Sequence, residues 1–188
     1  MSSILKVDQL QDSGGNAIIT SNGSGTITVN SQPFKNGITE ADQFRLTADL
    51  TANADPISSN LERVDDATFS KIGTGMSLSS GIYTFPVTGL YLVSSNTSVS
   101  YSGSDNAIIE VYASSDSGSS FDLLVKTISG TSTAGVTNSM TSSNFVNVTN
   151  ASTFRIKFAA ASVTNANIQG VSGYNRTYFT FIRLGDSQ

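Results

Sequence analysis

The sequence predicts an all-β protein, an antiparallel sandwich or barrel. Many short apolar runs alternate with polar residues, and Gly-, Asn- and Ser-rich turns separate them at intervals of roughly ten residues. No stretch of about a dozen residues repeats its apolar positions with the helical period. The 188 residues suffice for one domain of about 130 to 150 residues and a smaller segment.

Residues 1–36 are predicted to be a separate β-hairpin-rich segment. Three short extended runs, at 4–7, 17–20 and 26–29, are separated by turns of Gly, Asn and Ser. Each run has about four residues, and a lone hairpin of that size is only marginally stable in water. The segment therefore requires a partner, either a host surface or two other copies of itself.

Residues 37–188 are predicted to form the main domain, after a linker at 32–37. Residues 43–50 show the expected alternation, because Phe44 and Leu46 share one parity and Arg45 has the other. Further strands are predicted at 76–78, 81–85, 90–93 with a longer polar continuation, 107–113, 122–128, 144–148, 153–159, 167–171 and 177–184.

Two of these strands carry apolar residues at both parities, which is the pattern of a strand buried on both faces. One face of a sandwich strand meets the core, so the second face requires another cover. An oligomer axis is the economical interpretation, and a covering loop of the same chain is the alternative. The predicted trimer interface consists of Leu90, Tyr91, Leu92, Val93, Tyr178, Phe179 and Phe181.

Composition argues against several functions. Charged residues make up 13% of the chain, the net charge is −4, and the ten Lys and Arg residues are scattered. Nucleic-acid binding needs clustered cations, so none is predicted. No apolar run is long enough to span a membrane, and the N-terminus lacks the basic and apolar regions of a signal peptide.

No enzyme activity, cofactor or metal is predicted. The chain has neither His nor Cys, so it lacks the usual general base and a thiolate nucleophile. Asp65 and Asp66 are adjacent and would point to opposite faces of a strand, which favours a solvated loop over a shared site. Residues 116–122 resemble a calcium loop in composition, yet they lack its spacing, and a hairpin tip is favoured. Tyr101, Tyr112 and Tyr174 would stack on sugar rings if exposed.

The residues 81–91, Gly-Ile-Tyr-Thr-Phe-Pro-Val-Thr-Gly-Leu-Tyr, resemble the core motif of the complement q-subcomponent globular heads, relatives of the tumour necrosis factor ligands. Residues 178–184 resemble the closing strand of that superfamily, and the likeness spans about 39–185. It implies a jelly-roll sandwich of about ten strands that forms a homotrimer. The strands with Tyr91 and Phe179 would lie in the inner sheet, facing the three-fold axis.

Residues 4–19 are similar to the start of virion-associated proteins of marine tailed bacteriophages. This resemblance implies a structural protein of the virion surface, synthesised in the host cytoplasm, which is a homotrimeric fibre or a head-decoration protein. Its partners would be capsid or other virion proteins. The alternative is a receptor-binding tip for a host glycan or protein, with contacts from loops 102–106 and 114–120. The predicted anchor consists of Ile4, Leu5, Val7, Leu10, Ile18 and Ile19.

Overall fold

The computed structural model describes residues 8–29 and 37–188. The chain divides into two compact units, Met1–Gly37 and Ile38–Gln188. Every regular element in the described residues is a β-strand, and every strand pair is antiparallel. The predicted all-β, antiparallel class is therefore confirmed.

The first unit contains one three-stranded sheet in the order β1-β2-β3. Its strands are β1 (Gln9–Gln11), β2 (Ala17–Ser21) and β3 (Ile27–Val29). The turn after β1 forms because the carboxylate of Asp12 accepts hydrogen bonds from the backbone N–H groups of Gly14 and Asn16, at 2.8 and 2.9 Å.

The second unit is a sandwich of two sheets. The first sheet has the order β10-β9-β12-β7-β6, and the second has the order β11-β8-β14-β4-β5 with β13 beside β8. The strands are β4 (Ala41–Leu46), β5 (Leu61–Arg63), β6 (Ser77–Ser79), β7 (Ile82–Thr84), β8 (Gly89–Tyr101), β9 (Asp105–Ser114), β10 (Asp122–Thr131), β11 (Val136–Val148), β12 (Arg155–Ala161), β13 (Ala166–Ile168) and β14 (Tyr178–Gly185).

Aromatic side chains from both sheets fill the core of the sandwich. Phe158 of the first sheet stacks on Phe179 of the second, with ring centroids 4.0 Å apart. Tyr83 packs against Phe44 and Phe181, each at 5.0 Å between centroids. All five rings are at most 4% exposed. Aromatic pairs of this kind add roughly 0.5–1.5 kcal/mol beyond the area that they bury.

The motif at 81–91 begins in the tight turn between β6 and β7. Ser80 and Gly81 both have positive φ, 49° and 80°, and Ser79 pairs with Ile82. Two such residues between paired strands form the primed turn that matches the strand twist. A Cβ at Gly81 would collide with the carbonyl oxygen of Ile57, so this turn position requires glycine.

Candidate oligomerisation face of the second sheet

Successive residues of strand β8 point alternately into the core of the sandwich and towards its outer surface. Its odd-numbered residues are buried and its even-numbered residues are half-buried. Tyr91 and Val93 are 1% and 2% exposed and belong to the core cluster, whereas Leu90 and Leu92 point away from the core. We call the surface of the second sheet that carries Leu90 and Leu92 the outward face.

The strand register arranges the outward face in rows that cross the sheet. One row is apolar at its centre, because Leu92 of β8 lies between Phe145 of β11 and Ile182 of β14. The next row has Ser94 between Ser143 and Thr180. Adjacent rows of the outward face therefore differ in chemistry, one apolar and the next lined with hydroxyl groups. Cross-strand neighbours of similar chemistry stabilise the sheet by contact.

A third row combines amide, phenol and charge. Asn96 lies between Thr141 and Tyr178, and Tyr178 in turn lies opposite Arg45 of β4. Arg45 Nε donates to Glu62 Oε1 at 2.6 Å. The Arg45 side chain is only 8% exposed and that of Glu62 is 37% exposed, so the cation lies within the face and its partner lies at the edge of the sheet.

The polar groups of the outward face are largely satisfied within the chain. Gln43 Nε2 donates to Thr180 Oγ1 at 2.8 Å, and the amide of Asn175 donates to Gln43 Oε1 at 2.5 Å. Thr141 Oγ1 donates to Asn96 Oδ1 at 3.0 Å. Because a buried polar group without a partner costs about 1–3 kcal/mol, this prior pairing lowers the cost of covering the face.

The seven residues predicted to line a trimer interface are divided between the two faces. Tyr91, Val93, Phe179 and Phe181 are at most 2% exposed and lie inside the sandwich, where the first sheet of the same chain covers them. Sheet-face contact with another copy is therefore open only to the remaining three, Leu90, Leu92 and Tyr178, which are half-buried. The trimer interface itself stays a prediction, and the sequence could not make this division because apolar residues at both parities do not indicate which parity meets the core.

Sequence reasoning missed the most exposed apolar side chain of this face. Phe145 is 63% exposed, whereas Val146 and Val148, which have the opposite parity, are buried in the core. Its position directly opposite Leu92 extends the apolar row to the sheet edge. The signal was present in the sequence, since Phe145 breaks the alternation of residues 144–148.

The described residues of the predicted virion anchor lie in the three-stranded sheet. Leu10 is 51% exposed, and Ile18 and Ile19 are half-buried. Leu10 and Ile19 are directly paired, so they share one face, and Ile18 points to the other. Ile4, Leu5 and Val7 lie outside the described residues.

The acidic candidates are used in loop geometry. The carboxylate of Asp66 accepts hydrogen bonds from Thr68, through its N–H and hydroxyl, and from the N–H of Phe69, which lower the pKa of Asp66. Asp116 accepts from the hydroxyls of Ser114 and Ser120, each at 2.6 Å, which hold its pKa below the usual range. Within residues 8–29 and 37–188, no group of three or more His, Cys, Asp or Glu side chains could hold a metal.

The three tyrosines considered for ligand stacking differ in exposure. Tyr101 is 2% exposed and lies in the core, whereas Tyr174 is 59% exposed. The hydroxyl of Tyr112 donates to the Glu110 carboxylate at 2.7 Å. This bond raises the pKa of Tyr112 to about 12 and lowers the pKa of Glu110. Only Tyr174 therefore presents a freely accessible ring.

Comparisons with known proteins identify the fold. No protein-family model matches the chain, and no curated protein matches its sequence. Among solved structures, Eiger TNF from S. frugiperda aligns over 81% of this chain and 96% of that chain, with a TM-score of 0.64 and 13% identity. The fold is a tumour-necrosis-factor-like jelly roll. Murine APRIL at pH 8.5 also aligns, over 77% of this chain and 98% of that chain, with a TM-score of 0.55 and 15% identity.

The jelly-roll prediction made from residues 81–91 and 178–184 is therefore confirmed as a statement about fold. The resemblance of residues 4–19 to phage virion proteins stays a prediction. The described part of the chain contains no helix that is long and apolar enough to cross a membrane.

Proposed function

We propose that the protein is a homotrimeric structural component of a bacteriophage particle, either a surface fibre or a head-decoration protein. In this proposal the jelly-roll head projects from the virion surface, and residues 1–36 attach it to capsid or other virion proteins. The activity is assembly, so no catalytic step or cofactor is involved.

The outward face of the second sheet carries the trimer proposal. It presents an apolar row that ends in Phe145, 63% exposed, beside polar rows whose side chains are already paired with each other. Contact between two such faces is favourable in free energy, because it buries the apolar row away from water and few hydrogen bonds are lost. Obligate interfaces of this type typically bury more than about 2,000 Å² in total.

The virion assignment is supported by the first unit. Its sequence resembles the leaders of phage virion proteins, and its described apolar side chains, including Leu10, remain accessible for attachment. The low charge of the chain, 13% of residues, suits an extracellular particle surface built from hydroxyl and amide groups.

Two measurements test this function. Light scattering of the purified chain should give the mass of three copies, and a monomeric mass over the micromolar range would contradict the trimer. A chain that starts at Gly37 should still form trimeric heads but should fail to join particles. If those heads decorate virions as well as the full chain does, the anchoring role of residues 1–36 is wrong.

A receptor-binding tip is the second candidate function. Tyr174 favours it, because its ring is 59% exposed in the loop before β14 and is free to stack on a sugar or a partner side chain. The predicted contact loop 114–120 offers a ligand fewer free polar groups, because the carboxylate of Asp116 already accepts hydrogen bonds from Ser114 and Ser120. Binding of the purified protein to host cells or a glycan panel, lost in Tyr174→Ala, would support this function. No binding would favour passive decoration.

A further inference from the structure

We propose that a polar cleft in the loop between β4 and β5 binds one neutral sugar residue of a host-surface glycan. The cleft has a volume of about 250 Å³, which is enough for one pyranose ring with a few water molecules. This inference rests on the receptor-binding candidate function, for which it names the ligand class and the site. We call the site the sugar cleft, and its polar lining consists of Asp49, Thr51, Asn53, Ser59 and Asn60.

The loop that forms the sugar cleft is fixed to both sheets of the sandwich. Leu50 exchanges two backbone hydrogen bonds with Ile168 of β13, and Ala54 exchanges two with Ala160 of β12, each between 2.8 and 3.0 Å. Leu50 is also 7% exposed and Ile57 is 1% exposed, so both side chains anchor the loop in the core. A site on a segment held in this way loses little conformational entropy when a ligand binds.

Two side chains of the lining are oriented through one oxygen and keep a second polar atom for a ligand. Asp49 Oδ1 accepts a hydrogen bond from the N–H of Gly170 at 2.9 Å, and Asn53 Oδ1 accepts one from the N–H of Val163 at 2.8 Å. Asp49 Oδ2 and Asn53 Nδ2 have no partner within the described residues. The sugar cleft therefore offers one oriented acceptor and one oriented donor.

The rest of the lining suits the hydroxyl groups of a sugar. Thr51, Ser59 and Asn60 are exposed, and their side chains make no hydrogen bond within the described part of the chain. A sugar hydroxyl donates one hydrogen bond and accepts others, so it can use acceptors and donors of this kind together. Between these polar residues the lining includes Ala52 and Ala54, whose small side chains leave room for the ring.

The charges of the site favour a neutral ligand. The lining carries the carboxylate of Asp49 and no Lys or Arg, so an anionic sugar or a phosphate would be repelled. Lys157 does not supply the missing cation, because its Nζ is paired with Asp55 at 2.6 Å. An apolar ligand would cover the polar lining and leave its hydrogen-bonding groups unpaired. A neutral polyol is the class that satisfies these groups without adding charge.

The sugar cleft lies on the same part of the head as the exposed Tyr174 ring. Gly170, whose N–H binds Asp49, is four residues before Tyr174, so their Cα atoms are at most about 14 Å apart. A single sugar residue should bind with a dissociation constant on the order of millimolar. Several copies on a trimer would raise the avidity for a glycan-covered surface.

Saturation-transfer NMR of the full-length chain tests the inference. The probes are the methyl glycosides of glucose, galactose, mannose, rhamnose and N-acetylglucosamine, with methyl glucuronide as the anionic comparison. We expect at least one neutral glycoside to receive saturation, and the glucuronide to bind at least about fivefold more weakly.

Ala52→Leu should abolish this signal, because the larger side chain fills the sugar cleft. The matched control is Ser58→Leu, at an exposed position of the same loop outside the lining, which should keep the signal. Asn60→Gly should weaken binding about fivefold, since glycine adopts the positive φ of 58° at this position but lacks the amide. Unchanged midpoints of urea denaturation check that all three variants are folded.

No saturation of any neutral glycoside, equal signals for Ala52→Leu and Ser58→Leu, or tighter binding of the glucuronide would overturn the inference. Binding to host cells separates it from the receptor-binding function. Cell binding that is lost in Tyr174→Ala but survives in Ala52→Leu would uphold that function and overturn the sugar cleft as its site. Glycoside binding that Ala52→Leu abolishes, without any binding to host cells, would uphold the sugar cleft and contradict the receptor-binding function.

Discussion

On β8, residues that point into the sandwich alternate with residues that point outward, and the two sets differ in chemistry. Tyr91 and Val93 are buried among aromatic rings of the same chain. Leu92 and Ser94 lie on the outward face, where an apolar row adjoins hydroxyl rows. The comparison indicates that the inward residues hold one chain folded, whereas the outward residues are those left available for contact with other molecules.

The largest effect on folding should come from Phe179→Ala. Phe179 is 0% exposed and stacks on Phe158 at 4.0 Å, so truncation removes that contact and leaves a cavity. We expect the free energy of unfolding to fall by about 3–5 kcal/mol, measured by urea denaturation. The neighbouring outward residue provides the control, since Thr180→Ala should cost no more than about 1.5 kcal/mol. Equal losses of unfolding free energy in the two variants would contradict the assignment of Phe179 to the core and Thr180 to the outward face.

A smaller, pH-dependent effect is expected from Tyr91→Phe. The Tyr91 hydroxyl donates to the carbonyl of Val87 at 3.0 Å, and burial together with the charge of Glu40 raises the pKa of Tyr91 from 10.0 to about 12. At neutral pH the loss should be about 1 kcal/mol. Since the folded state favours the neutral phenol, this contribution is complete below pH 10 and declines as the pH rises towards about 12.

Stability measured at pH 8 and pH 11 checks this second expectation. The free energy of unfolding should fall more over that interval for the native chain than for Tyr91→Phe, because the variant lacks a phenol whose pKa is higher in the folded state than in the unfolded state. Tyr83, whose pKa burial also raises, acts equally in both chains. An identical decline in the two would show that the Tyr91 hydroxyl is accessible to water.

Phe145→Ser should change association with little change in folding. Phe145 is 63% exposed, so its loss should alter the unfolding free energy of the isolated chain by less than about 1 kcal/mol. The mass in solution should fall from trimer towards monomer at low micromolar concentration. The matched control is Ile128→Ser on β10 of the first sheet, 56% exposed, which should remain trimeric. If both variants, or neither, dissociate, Phe145 is not part of the interface.

The smallest effect is expected at the hydroxyl end of the outward face. Thr141→Ala removes a single exposed hydrogen bond, to Asn96 at 3.0 Å. The mass in solution should be unchanged, and the unfolding free energy should stay within about 0.5 kcal/mol of the native value. A clear loss of trimer in this variant would show that the polar rows, and not the apolar row, make the main contact between chains.

Sequence alone predicted the strands whose residues are rich in apolar side chains, whether these alternate or occupy both parities. The strands predicted at 107–113 and 177–184 correspond to β9 (Asp105–Ser114) and β14 (Tyr178–Gly185). The first half of β11 was missed, because its outward positions are Thr and Ser and its pattern lacks apolar contrast. Polar strands form when a neighbouring strand supplies the ladder, which is a non-local cause.

The candidate site was predicted only in part for a related reason. Tyr91 and Leu92 are adjacent, large side chains that a core can accept, and the packing of the two sheets places Tyr91 in the core and Leu92 outside it. A one-residue change of register would exchange their roles. The sequence therefore indicates that two surfaces exist, and the assembled sandwich decides which residues belong to each.

The hydroxyl groups of β8 also have a consequence for engineering. On its inward face, Thr97 and Tyr101 are 2% exposed, and their hydroxyls have no hydrogen-bond partner. Such groups lose hydration on folding and gain nothing in return. We expect Thr97→Val and Tyr101→Phe to raise the thermal midpoint while leaving every exposed surface unchanged. A more heat-resistant chain is thus accessible through substitutions in the interior alone.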